Sequence, residues 1–119
     1  TNKKIHLTIL ASGSEVNLAI ETSHKLAKEK VYSKVISMPC QDLFDSQSRT
    51  YKQKILNETK MKISIEAAST DSWKKYVGNE GLTFGIDTFG KSAPYKEIYK
   101  YFGLTAANIA NKSKKLINR

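Results

Sequence analysis

The chain has 119 residues, of which 39% are hydrophobic and 26% charged, a balance typical of one globular domain rather than of a disordered segment. No apolar run approaches the roughly 20 residues that a membrane-spanning helix needs. The formal net charge of +9 rests on 20 basic residues, all of them lysine except Arg49 and Arg119.

Residues 4–30 predict a strand, a turn and a helix. The strand covers residues 4–11, where alternation gives way to consecutive apolar residues, which is typical of a strand inside a sheet. Ser12-Gly13-Ser14 forms a tight turn, and Ser12 with Glu15 matches a capping box at the start of a helix. The helix is predicted to end near Lys30, and its apolar stripe comprises Val16, Ala19, Ile20, Ser23, Leu26 and Ala27.

Residues 31–66 repeat the alternation of strands and helices. A second strand at 31–38 completes a βαβ unit, so the first two strands should be parallel. A short turn or helix at 42–45 precedes a helix at 48–57, and a third strand follows at 61–66. The inward side of the second helix is predicted to carry Tyr51, Ile55 and Leu56.

The last third of the chain contains a short segment around Trp73, a fourth strand at 82–87 and a helix from Pro94 to Gly103. Thr105 caps a final helix, whose apolar side comprises Ile109, Ser113, Leu116 and Ile117. The alternation predicts a single three-layer α/β domain over residues 1–119, with four or five strands flanked by helices.

The turn Ser12-Gly13-Ser14 is the one local feature that predicts a ligand. It joins the carboxyl end of a strand to the N-terminus of a helix, where free N–H groups and the helix dipole favour an anion. The alternative is a plain helix cap, with Glu15 already at the positive end. The two histidines, His6 and His24, lack a metal-ligand spacing, and no nucleophile elbow is present, so no catalytic, cofactor-binding or metal-binding residue is predicted.

Five aromatic residues allow two interpretations: anchors of the core, or side chains that a neighbouring domain covers. Their loop positions make Trp73 and Phe89 the candidates for an interdomain contact. The five are Trp73, Tyr76, Phe84, Phe89 and Tyr95.

The compartment and the parentage of the chain have weaker signals. The single cysteine, Cys40, excludes an internal disulfide and predicts a reducing, cytoplasmic location. The first residue is not Met, which favours a piece of a longer polypeptide.

Four groups of residues, in the right order along the chain, resemble the C-terminal domain of transketolases. The first is the segment 11–19, Ala-Ser-Gly-Ser-Glu-Val-Asn-Leu-Ala. The second is Ser37-Met38-Pro39-Cys40 with Leu43-Phe44-Asp45 and Gln47. The others are Glu66-Ala67 with Trp73-Lys74-Lys75-Tyr76-Val77-Gly78, and Gly85-Ile86-Asp87 with Phe89-Gly90, Ser92-Ala93-Pro94 and Phe102-Gly103-Leu104-Thr105.

This resemblance implies a mixed, mostly parallel sheet with one antiparallel strand. It also implies a parent enzyme of the pentose phosphate pathway that transfers a two-carbon ketol unit from a ketose phosphate to an aldose phosphate. Thiamine diphosphate and a divalent metal such as magnesium would be held by the other domains and across a homodimer interface. The domain itself would supply no catalytic residue, pack on the middle domain, and serve assembly or regulation.

A second hypothesis is a stand-alone basic module that binds anions or nucleic acid. It predicts DNA binding that weakens steeply as salt rises. Nucleic acid is the less favoured partner, because readers of base sequence use arginine, which this chain almost lacks.

Overall fold

The architecture is an α/β sheet with helices on both faces. The computed structural model describes residues 4–13, 15–38, 41–56, 59–66, 73–78, 80–85 and 104–117. The strands are β1 Leu7–Ala11, β2 Ser33–Ser37, β3 Met61–Glu66 and β4 Leu82–Gly85. The helices are α1 Glu15–Ala27, α2 Gln41–Asp45, α3 Arg49–Leu56, α4 Lys74–Val77 and α5 Ala106–Ile117. No helix in these ranges is long and apolar enough to cross a membrane.

The four strands lie in the order β2-β1-β3-β4, and all three pairings are parallel. The predicted α/β fold and the parallel pairing of the first two strands are therefore confirmed. The predicted helix from Pro94 and the end of the fourth strand beyond Gly85 lie outside the described residues, whose strand pairings include no antiparallel one.

Strand β1 lies in the interior of the sheet, as its sequence predicts. Leu7 is opposite Ser33 of β2 on one side and Met61 of β3 on the other. All five residues of β1 are buried, including Thr8. The consecutive apolar residues at its end reflect burial from both sides of the sheet.

The register divides the side chains of the sheet between two faces. One face, here called the α1–α5 face, carries an apolar core that α1 and α5 cover, with Leu7, Ile9, Ala11, Ile63, Ile65 and Phe84. The other, here called the α2–α4 face, carries Thr8, Leu10, Lys34, Ile36, Lys62 and Ser64. A smaller apolar cluster covers part of this second face and contains Leu10, Met38, Trp73, Tyr76 and Val77.

The inward side of α1 matches the predicted apolar stripe in part, because Ala19 and Leu26 are buried as predicted but Ile20 is not. The buried residues are Glu15, Ala19, Thr22 and Leu26, whereas Ile20 is 41% exposed. Thr22 tolerates burial because its hydroxyl donates to the carbonyl oxygen of Leu18, at 2.8 Å. The helix also ends at Ala27, three residues before the predicted end near Lys30. Lys30 itself has a left-handed φ of 64°, which is not helical.

The other two long helices differ in how well the sequence predicts their packing. In α5 the Asn108 amide donates to the Thr105 hydroxyl at 3.2 Å, which confirms the predicted cap. Ile109, Ser113 and Leu116 are buried, as predicted. In α3, by contrast, no residue is buried, and Tyr51 is 48% exposed instead of facing inward.

Candidate functional site

The carboxyl edge of the sheet is the first candidate site. The strand that follows β1 along the chain, β2, lies on one side of β1, whereas β3 lies on the other side. The direction in which the chain adds strands to the sheet therefore reverses between β1 and β3. In open α/β sheets, ligands bind at such a reversal, beyond the carboxyl ends of the strands. Ser12 follows β1 directly, Glu66 ends β3, and the Ser12 hydroxyl donates to the Glu66 carboxylate.

This pairing changes the chemistry expected for the predicted anion site. The structure places Ser12 and Gly13 at the predicted position, with Gly13 exposed at φ 56°, while Ser14 lies outside the described residues. The Ser12 hydroxyl, predicted to cap α1, has Glu66 as its partner, and the Glu15 amide donates to the Ser12 carbonyl oxygen at 3.1 Å. The Glu66 carboxylate beside the turn repels an anionic ligand. The anion site at Ser12 and Gly13 therefore stays a prediction, and the charge of Glu66 disfavours it.

A second cluster of polar side chains surrounds Asp45 at the end of α2. The Lys75 ammonium lies 2.7 Å from its Oδ2 atom, and the Tyr76 hydroxyl donates to its Oδ1 atom at 2.8 Å. Lys52 of α3 donates to the Asp45 carbonyl oxygen at 3.1 Å. One residue therefore links three helices, α2, α3 and α4.

The electrostatics of this cluster fix the charge of Asp45. Hydrogen bonds from Lys75 and Tyr76 hold the pKa of the Asp45 carboxyl below its usual value, and the bond from Lys75 has the larger effect. The bond to Asp45 raises the pKa of Lys75, and burial raises the pKa of Tyr76. A paired carboxylate of low pKa is a poor general base at neutral pH, so this cluster positions helices and anchors charge instead of moving protons.

A groove of 310 Å³ opens beside Asp45, between α2, α3 and α4, and is here called the α2–α4 groove. Its apolar walls are Phe44, Leu56 and Tyr76, and the rings of Phe44 and Tyr76 meet edge to face at 5.5 Å. Its polar lining contains Arg49, Lys52 and Lys75 as cations, Asp45 as the one carboxylate, and Gln53. The groove therefore combines an aromatic wall with a positive rim, which suits a partly apolar, acidic ligand.

The described residues do not fit a metal-diphosphate cofactor. They contain no group of three or more His, Cys, Asp or Glu side chains that could hold a metal ion. His6, directly before β1, is half-buried. Its Nδ1 atom accepts a hydrogen bond from the Tyr32 amide at 3.1 Å, which is a structural role.

Of the two interpretations of the aromatic residues, Trp73 and Tyr76 fit the first, that of core anchors, and Trp73 is not an exposed interdomain contact. Trp73 is 2% exposed, and its ring meets that of Tyr76 edge to face at 5.8 Å. The Trp73 side chain packs with Leu10 and Met38 on the α2–α4 face, and its large ring covers the apolar area of that face. Phe89, the other residue proposed for such a contact, lies outside the described residues.

Sequence reasoning located Ser12 but missed its partner Glu66 and assigned no site role to the residues around Asp45. Glu66 could have been found, because it is a polar residue at the carboxyl end of a predicted strand. Asp45 and Lys75 lie 30 residues apart, and no local pattern connects them. Arg49 stands out only as one of two arginines in a lysine-rich chain.

The comparisons with known proteins agree on one family. A family model for the transketolase-like TK C-terminal domain matches residues 1–105. The transketolase of Bacillus subtilis is 46% identical over 112 residues, which cover 93% of this chain and 17% of that protein. The chain thus spans about one sixth of the length of this curated relative.

Solved structures give the same result. Transketolase from Leishmania mexicana aligns with a TM-score of 0.85 and 39% identity, covering 97% of this chain and 17% of that one. The transketolase of Pichia stipitis in complex with sedoheptulose 7-phosphate aligns with a TM-score of 0.87 and 34% identity, covering 99% of this chain and 17% of that one.

Proposed function

Because this chain belongs to the transketolase-like C-terminal domain family, we propose that it is the non-catalytic C-terminal domain of a transketolase. The longer polypeptide, here called the parent, transfers a two-carbon ketol unit from a ketose phosphate to an aldose phosphate. The observation that carries this proposal is the family match over residues 1–105, joined to 46% identity with a transketolase. A similar solved transketolase holds a ketose phosphate, sedoheptulose 7-phosphate, which supports the substrate class.

Thiamine diphosphate and a divalent metal, held by the other domains of the parent, would supply the chemistry that transfers the ketol unit. The described residues of this chain offer no cluster for that metal, and Asp45 is held as a paired carboxylate. We therefore assign no step of the transfer to a described residue. The role of this chain is to fold as a sheet-and-helix lobe against the rest of the parent.

The partners in this proposal are the other domains of the parent and the second subunit of a homodimer. The pathway is the pentose phosphate pathway, and the location is the cytoplasm, which the single cysteine favours. The relatives reported above give no support to a stand-alone nucleic-acid module.

The test compares the parent with the 119-residue chain. Both are assayed with thiamine diphosphate, Mg²⁺, a ketose phosphate donor and an aldose phosphate acceptor, and the formation of the new ketose is followed. We expect turnover by the parent and none by the chain alone. A parent without thiamine-dependent ketol transfer, or a lone chain that converts sugar phosphates, would overturn the proposal.

A further inference from the structure

Two helices of the described structure bury none of their own side chains. Neither α2 nor α3 contains a buried residue. Three large apolar side chains are exposed among the described residues, and two of them lie here: Leu43, at 63%, and Tyr51, at 48%. The third, Ile20 on α1, stands alone on the opposite side of the sheet.

Helix α3 is too short to be stable without packing. Isolated helices shorter than about 12 residues are marginal in water, and α3 has 8 residues. Its contact with the domain comes from the half-buried Ile55 and Leu56, and from Lys52 bonding to the carbonyl oxygen of Asp45. A surface of this kind gains stability when a partner covers Leu43 and Tyr51.

The charges of the groove describe the partner. The Asp45 carboxylate, the one acidic group that lines the groove, is bound by Lys75 and Tyr76. None of the hydrogen bonds or ion pairs among the described residues involves the Arg49 guanidinium, whose residue is exposed on the rim of the groove. A guanidinium matches the two oxygens of a carboxylate better than an ammonium does.

We propose that the α2–α4 groove, with Leu43 and Tyr51 beside it, is the docking surface for a segment of the parent outside residues 1–119. That segment places an apolar side chain against Phe44 and Tyr76 and a carboxylate on Arg49. This inference rests on the proposed function, which supplies the parent. The occupant follows from length and charge: the chain spans 17% of its curated relative, and its net charge of +9 favours an acidic partner surface.

The test uses the folded parent and two lysines of this chain. Lys75 lines the groove and is 55% exposed, and Lys114 on α5 is 26% exposed. Each ammonium pairs with one carboxylate at a similar distance, 2.7 Å to Asp45 for Lys75 and 2.6 Å to Glu29 for Lys114, so pairing slows both reactions and exposure favours Lys75. Acetylation by a small amine-reactive reagent is followed by mass spectrometry of peptides from each lysine.

We expect Lys75 to react about tenfold more slowly than Lys114 in the parent, since a docked segment must open before the amine of Lys75 is reached. The substitutions Leu43→Asp and Arg49→Glu should restore its reactivity, while Ile20→Asp on α1 should not. Wild-type labelling keeps the test decisive even where a variant fails to fold. Turnover assayed on the same samples separates this inference from the proposed function.

Two results would overturn the proposal. In the first, Lys75 reacts as fast as Lys114 or faster in the wild-type parent, so nothing covers the groove. In the second, the protection of Lys75 vanishes when the subunits are separated by dilution with the polypeptide still folded, which would assign the surface to a second copy.

Discussion

The two faces of the sheet use the same strands for different purposes. On the α1–α5 face, β1 and β3 present Leu7, Ile9, Ile63 and Ile65, none of which has any exposed area. On the α2–α4 face, the same two strands present Thr8, Leu10, Lys62 and Ser64. Parallel strands are commonly apolar on both sides, so the polar residues mark the second face as different.

This difference separates stability from interaction. The α1–α5 face is closed by two long helices, and its apolar side chains supply most of the core. The α2–α4 face must satisfy polar groups one by one: the hydroxyls of Thr8 and Thr59 meet at 2.6 Å, and burial lowers the pKa of Lys62. Short helices with exposed apolar residues cover it, and these carry the proposed docking surface.

The largest expected effect tests the core of the α1–α5 face. Ile63→Ala should lower the free energy of unfolding by about 3–5 kcal/mol, because it removes a fully buried side chain and leaves a cavity. Urea unfolding of the 119-residue chain measures the loss. Ile36→Ala, at a half-buried position of the α2–α4 face, is the control and should cost roughly half as much.

A second prediction concerns the close approach of α4 to the sheet. A Cβ atom on Gly81 would lie 2.6 Å from the Cβ atom of Val77, and closer still to the backbone oxygens of Lys62 and Val77. Backbone atoms cannot move aside easily, so Gly81→Ala should destabilise the chain by about 2 kcal/mol in thermal unfolding. Lys60→Ala, at an exposed side chain near the same edge, should be nearly neutral, and equal losses would contradict the argument.

A third prediction uses the charge of Asp45. Asp45→Asn should cost about 1 kcal/mol at pH 7, a value reduced from that of a buried charged hydrogen bond because the side chain is 37% exposed. Since the folded-state pKa of Asp45 is lowered, its contribution is fully present above the unfolded pKa and is lost as pH falls through the folded one.

The check is urea unfolding of both proteins as pH is lowered from 7. The wild-type advantage should persist down to about pH 5 and shrink below about pH 4. Gln41→Ala, at an uncharged side chain of the same helix, serves as the control, because it removes no titrating group. An advantage for Asp45 that is constant from pH 7 to pH 2 would refute the electrostatic explanation.

The smallest effect concerns a hydroxyl on the α2–α4 face. The Ser64 side chain is 1% exposed, and its oxygen has no hydrogen-bond partner among the described residues. Ser64→Ala should therefore stabilise the chain by up to about 1 kcal/mol in urea unfolding. Thr8→Val should instead destabilise, because the Thr8 hydroxyl is paired with Thr59.

The elements that the sequence predicts well are those whose signals are local. The Thr105 cap uses an amide three residues along the same chain. The interior position of β1 follows from Leu10 and Ala11. These consecutive apolar residues point to opposite faces of the sheet and so indicate that both faces are buried. The inward side of α1 was harder to predict, because a Thr that bonds to its own helix is buried as readily as an Ile.

The candidate sites show the same limit. The turn at Ser12 and Gly13 was located from the order of strand and helix, and the structure places it at the carboxyl edge of the sheet. The role of Glu66 depends on β3 lying next to β1, a pairing across 54 residues. For Trp73 the sequence left a core anchor and an interdomain contact open, and packing against Leu10 and Met38 decides for the core.

The amino-acid sequence by itself determined the family, the alternation of strands and helices, and the parallel pairing that short crossovers impose. Only the tertiary structure decided that one face is an apolar core, and that the other joins Asp45 to Lys75 and opens a basic groove beside Arg49. The physical reason is the distance along the chain over which each interaction acts. Capping and periodicity act within a few residues, whereas charge pairing and burial depend on which distant segments the folded sheet brings together.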